Sequence, residues 1–148
     1  MEQLIFDSGI KEYQINGKGV LRFNPSDPNV YARFVELTPK INEIEKEMNQ
    51  KAANIDRENE KAGEKTLGIM RETDRKIKDV LNQIFGVEND FDKILEGVNL
   101  MAVATDGNRV IVNLMNALQP IMEAGAKSCV QSEVDAAKLN RQQRRALQ

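Results

Sequence analysis

IKEYQINGKGVLRF, residues 10–23, decides what kind of fold this chain adopts. Tyr13 and Ile15 alternate with polar neighbours on the way in, and Leu21 and Phe23 do so on the way out. A period of two belongs to a strand with one buried face. The intervening NGKG supplies glycines, which accept the positive φ angles of a tight turn, so the stretch predicts a β-hairpin. A two-stranded hairpin alone is marginal in water and requires a helical surface to lie against. Leu4, Ile5 and Phe6 offer a further extended segment upstream.

Downstream, the pattern turns helical. In NPSDPNVYARF (24–34) Asp27 suits an N-cap and Pro28 the first helical position. Val30, Tyr31, Phe34, Val35 and Leu37 then form an apolar face, and the Thr38-Pro39 pair either kinks this helix or ends it and caps the next. Helix is predicted over about 28–60. Its later part carries a narrow seam of Ile41, Ile44, Met48 and Ile55 among Glu43, Glu45, Lys46, Glu47 and Lys51. Polar ENEKAGEK (58–65) interrupts it. A second charged helix, about 66–85, carries Leu67, Met70, Ile77, Leu81 and Ile84, with Asp74 where a seam calls for an apolar residue. Two charged helices around a polar turn read as an antiparallel helical hairpin. Gly86 stops the second.

Asn89 or Asp90 then caps a short helix, about 90–96. Leu100, Met101, Val103 and Ala104 fit either a strand or a helical turn, and TDGN (105–108) fits a turn. Apolar residues at 110, 111, 114, 115, 118, 121 and 122 predict a central core helix over about 109–125, bent at Pro120. The fold class is therefore α+β, mainly α: one domain over residues 1–128, and a basic, helix-prone tail over 129–148 that is mobile or ordered by a partner.

Composition narrows the function. Apolar residues make up 41% and charged residues 30% of the 148, which is the balance of a folded rather than a disordered chain. The net charge is −2, yet residues 136–148 hold four positives and no negatives, leaving −6 on residues 1–135. Such a body repels phosphate and argues against nucleic acid as a partner. There is no histidine and one cysteine, Cys129, so an internal disulfide, imidazole bases and Cys-His or Ser-His nucleophiles are excluded. The glycine spacings of phosphate loops do not occur. Glu88, Asp90 and Asp92 cluster without the glycine and distal glutamate of a calcium loop, so capping accounts for them. No cofactor and no enzyme activity are expected. MEQLIFDSG lacks the layout of a signal peptide, and no run approaches the length of a membrane span, so a cytoplasmic protein is expected.

Lys138, Arg141, Arg144 and Arg145 share one face of a helix through three- and four-residue spacing. They suit a nucleic-acid contact, an acidic protein, or a solvated helix end whose charge complements the dipole. With no aromatic residue beside them, an acidic protein partner is favoured over nucleic acid, and the solvated helix end stands as the equal alternative.

LRFNPSDPNVYARF (21–34), DFDKILEGVNLMAVATDGNRVIVNLMNALQPIME (90–123) and NRQQRRA (140–146) together resemble the tail assembly chaperones of long-tailed, siphovirus-like phages and prophages of Firmicutes. The resemblance covers most of the chain, least distinctly over 50–66, and rests on capping and packing patterns. It implies a protein that holds the helical tape measure protein soluble and helps tail-tube subunits gather around it. Such a protein is absent from the finished virion. It also implies, for many members, a second, longer form made by translational frameshifting. Self-association is a further partner to test. A client surface would draw on Ile41, Ile44, Met48, Met70 and Ile77, with Met115 and Met122 where they face outward; mutual packing of these residues is the competing reading. The rival functions are a tube or connector subunit of the tail and a small nucleic-acid-binding regulator.

Overall fold

A computed structural model describes residues 1–146. The hairpin is present: β1 (Lys11–Ile15) and β2 (Gly19–Phe23) pair antiparallel, with Tyr13 opposite Leu21 and Lys11 opposite Phe23. Asn16 and Gly17 take the left-handed φ values 49° and 80°, and the Lys18 N–H closes the turn on the Ile15 carbonyl at 3.1 Å. Leu21 and Phe23 are buried, whereas Val20 and Arg22 on the opposite face are exposed. Phe23 stacks on Tyr13 and meets Phe85 edge-on, with ring centroids 5.2 and 4.9 Å away; Phe85 in turn lies 5.6 Å from Phe91. This row of rings fixes the hairpin to the helices.

Five helices follow: α1 (Pro28–Val35), α2 (Leu37–Ala53), α3 (Ala62–Phe85), α4 (Phe91–Ile94) and α5 (Val110–Ala146). The class is α+β, mainly α. Asp27 caps α1 by accepting from the Asn29 N–H at 2.9 Å, with Pro28 at the first position. The single helix expected over 28–60 is two. Glu36 separates α1 from α2, and Pro39 falls in the first turn of α2, where the N–H it lacks would have no helical partner anyway. The second ends at Ala53 because Asp56 and Asn59 turn the chain, their carboxylate and amide oxygens accepting from the Glu58 and Lys61 N–H groups at 3.0 and 2.9 Å. Ile55 therefore lies beyond the helix. Leu100 and Met101 form a buried turn rather than a strand, locked by N–H donation from Val110 to the Ala102 carbonyl and from Ile111 to that of Leu100, both at 2.9 Å.

The core gathers Leu21 and Phe23 from the hairpin, Val30, Phe34 and Leu37 at the α1–α2 junction, and Ile77, Leu81 and Ile84 of α3. Ile41 and Met48 of α2, Phe85, Phe91, Ile94, Leu95, Leu100, Met101, Ile111, Leu118 and Met122 complete it. Each fully buried aliphatic side chain contributes on the order of 1.5–3 kcal/mol. Helix α5 does not stop near 125 as expected; it continues through Pro120 and past 128 to Ala146. Asn116, whose carbonyl Pro120 cannot satisfy, and Pro120 itself face solvent, so water can serve that carbonyl. Residues 147 and 148 of the expected tail lie outside the described residues. No described helix is long and apolar enough to cross a membrane.

Candidate partner-binding surface

The α2–α3 seam was the expected client surface, and the structure turns most of it inward. Ile41 and Met48 are buried and Ile77 is fully buried, as is Met122 on α5. These four pack the core, so mutual packing, the competing reading, holds for them and they offer no client surface. Ile44, Met70 and Met115 are half-buried against the same core. Above Ile44 and Met48 a square of charges closes the seam. Lys51 Nζ lies 3.5 Å from Glu47 and 3.2 Å from Glu72, and Lys76 Nζ lies 3.2 and 3.4 Å from the same two carboxylates. Hydrogen bonding from Lys76 holds Glu47 below the usual carboxylate range, that from Lys51 does the same for Glu72, and Lys76 is raised by its bond to Glu47 against the opposing pull of burial.

A second ionic cluster explains Asp74. The side chain of Lys78 is 5% exposed, and its ammonium donates to Asp74 Oδ2 at 2.9 Å, Asp92 Oδ1 at 2.7 Å and the Val98 carbonyl at 2.9 Å. Asp74 Oδ1 accepts from the Leu100 N–H at 2.7 Å. Burial opposes the charge on Lys78, but the bonds to Asp92 and Asp74 outweigh it and hold the pKa above its ordinary value. All three donors of the ammonium are engaged, so the group ties α3, α4 and the 97–100 loop together and offers no base. Asp90 is the α4 cap, accepting from the Asp92 N–H at 3.1 Å. The buried Asn89 does something the sequence did not suggest: its Oδ1 accepts from the Arg22 N–H at 2.9 Å and its Nδ2 donates to the Arg22 carbonyl at 2.7 Å, occupying the outer edge of β2. Among the described residues no three histidine, cysteine or carboxylate side chains converge as a metal site.

The exposed candidates lie at the two ends of the chain. Leu4, Ile5 and Phe6 are 88%, 85% and 73% exposed. On α5, Gly125 is the last buried residue. Its α-carbon lies so near Pro25 that a side chain there would overlap the Pro25 backbone. Past the half-buried Cys129 the helix leaves the body, and the residues from Val130 to Ala146 are exposed. At about 100° per residue, Val130, Val134 and Ala137 line up with Arg141 and Arg144, an apolar stripe that becomes basic, with Lys138 and Arg145 flanking it. None of these four basic residues pairs with a carboxylate among the described residues. Compared with protein-family models, curated proteins and solved structures, the chain matches none of them.

Proposed function

We propose that this chain is a phage tail assembly chaperone. In the bacterial host cytoplasm it binds the tape measure protein, helps recruit tail-tube subunits, and is left out of the finished virion. The observation that carries this reading is the end of α5, where Val130, Val134, Arg141 and Arg144 lie on one open face beyond the last buried residue, Gly125. An exposed helix of this kind meets a helical client as helices meet grooves, its apolar positions contributing contact and its arginines selecting an acidic neighbour. The tail-chaperone resemblance of residues 21–34, 90–123 and 140–146 supports the same reading. Ile44, Met70 and Met115, half-buried, remain beside the core as secondary contacts.

Co-expression tests it. A tape measure fragment that is insoluble alone is expected to become soluble and to co-purify with this chain, and mass analysis of purified particles is expected to lack the chain. A fragment that stays insoluble and uncaptured overturns the reading; the chain's presence in particles favours a tube or connector subunit instead.

A further inference from the structure

The N-terminal arm and the outer edge of β1 are two unpartnered features of this chain. The arm is three consecutive large apolar residues in water, on a root that the body fixes. Asp7 Oδ1 accepts from the Gly9 N–H at 2.8 Å, the Ser8 carbonyl accepts from Asn24 Nδ2 at 3.1 Å, and Gly9 turns with φ 75°. The other feature follows from Asn89. Because it holds the Arg22 N–H and carbonyl, those groups point away from β1. Arg22 and its partner Glu12 are therefore a non-hydrogen-bonded pair, and Glu12, with Gln14 two residues on, turns its own N–H and carbonyl to the opposite, outer edge. Asn89 holds the β2 edge at Arg22, whereas the β1 edge is open, and an open edge templates a further strand.

The geometry points to exchange of this arm between two copies: residues 3–7 of one chain add as a strand to the outer edge of β1 in the second. Extended, residues 1–8 reach about 26 Å, enough to cross to a neighbouring body. Alternation places Leu4 and Phe6 on one face, where they cover half-buried Tyr13 and Ile15, with Ile5 on the other. A second copy is the occupant because each chain carries both the unpaired strand donor and the unpaired acceptor. A two-fold pairing then satisfies both at once. This contact does not depend on the client proposed above.

Sedimentation of the full chain under reducing conditions, which keeps Cys129 out of the result, is expected to give twice the 16.7 kDa chain mass. Leu4→Asp/Phe6→Asp, at positions with no packing to lose, is expected to give a monomer with unchanged circular dichroism. Gln14→Pro removes an outward N–H without removing a ladder hydrogen bond, giving up besides it only the exposed bond from Gln14 Nε2 to the Gly17 carbonyl at 2.8 Å, and is expected to do the same. Amide exchange at Glu12 and Gln14 is expected to quicken at least tenfold in the arm variant. A wild-type chain that is monomeric at tens of micromolar, or an arm variant that stays dimeric, overturns the inference.

Discussion

Gly125→Ala sets two known effects against each other. In a helix interior, alanine is preferred over glycine by about 1 kcal/mol. Here the new methyl would fall inside contact distance of the Pro25 carbonyl and 3.1 Å from the Pro25 Cβ. Pro25 cannot easily yield: the neighbouring Asn24 accepts from the Ser26 N–H at 2.9 Å and from the Asp27 N–H at 3.2 Å, and Asp27 caps α1. Overpacking costs roughly 1–3 kcal/mol, and a backbone obstacle belongs at or above the top of that range. The net expectation is a loss of about 2 kcal/mol. Gly68→Ala on α3 is the control, because a methyl there meets nothing within 4 Å and only the propensity gain of up to about 1 kcal/mol remains. With unfolding entropy near 2.1 cal/mol/K per residue, a chain of this length shifts about 3 °C per kcal/mol, so the two variants should melt about 6 °C below and up to about 3 °C above the parent. Thermal melts followed at 222 nm, with urea titrations for the free energies, measure both. A Gly125→Ala chain as stable as the parent, beside a stabilised Gly68→Ala chain, would refute the close approach of α5 to Pro25 and with it the direction in which the exposed end departs.

Lys78→Met should cost about 3 kcal/mol in urea unfolding, the low end for breaking a buried ion pair, because Asp92 is exposed enough to rehydrate while Asp74 keeps its bond from Leu100. Since the folded pKa of Lys78 is raised above 10.5, its contribution is complete below the unfolded value and is lost as pH climbs through the folded one; the substitution should flatten that alkaline limb. Glu47 and Glu72 are depressed below 4.5, so their contribution is present above that value and disappears as pH falls through their folded pKa values. The Glu47→Gln/Glu72→Gln chain should be less stable than the parent at neutral pH in dilute buffer, and the gap should close in acid and in about 1 M salt. Arg141→Glu/Arg144→Glu/Arg145→Glu should leave the melting temperature unchanged, because the sites are exposed, and should abolish capture of the tape measure fragment. Retained capture would remove the basic stripe from the interface.

Some of this structure was legible because local chemistry repeats itself. Asn16-Gly17 and the alternation around it announce a hairpin, and Asp27 with Pro28 announces a helix start, without help from distant residues. Which apolar positions stay open to solvent was not legible. Apolar residues at helical spacing mark a face, but the spacing is the same whether core or partner covers it, so Ile41, Met48, Ile77 and Met122 could not be told from Ile44 and Met70. Lys78 and Asn89 were hidden for a different reason. A lysine on a charged helix reads as solvated, and an asparagine before Asp90 reads as a cap, until chain segments remote in sequence supply their partners at Asp92, Val98 and Arg22. Past Ser128 the apolar content falls to a thin stripe, while alanine, glutamine, lysine, arginine and leucine keep the intrinsic preference for helix, and that preference is what continues α5.

Helix α5 runs unbroken for 37 residues, about 55 Å along its axis. Its near end is wedged among the hydrophobic interior, its far end stands in solvent, and the Pro25 crossing is the fulcrum between them. A protein that binds Arg144 only on the folded chain therefore adds its binding free energy to the global stability, and the molecule becomes harder to open at a place the visitor never touches. Occupancy at the tip should thus be readable as slowed amide exchange at Leu118 and Met122, roughly 30–40 Å down the same axis.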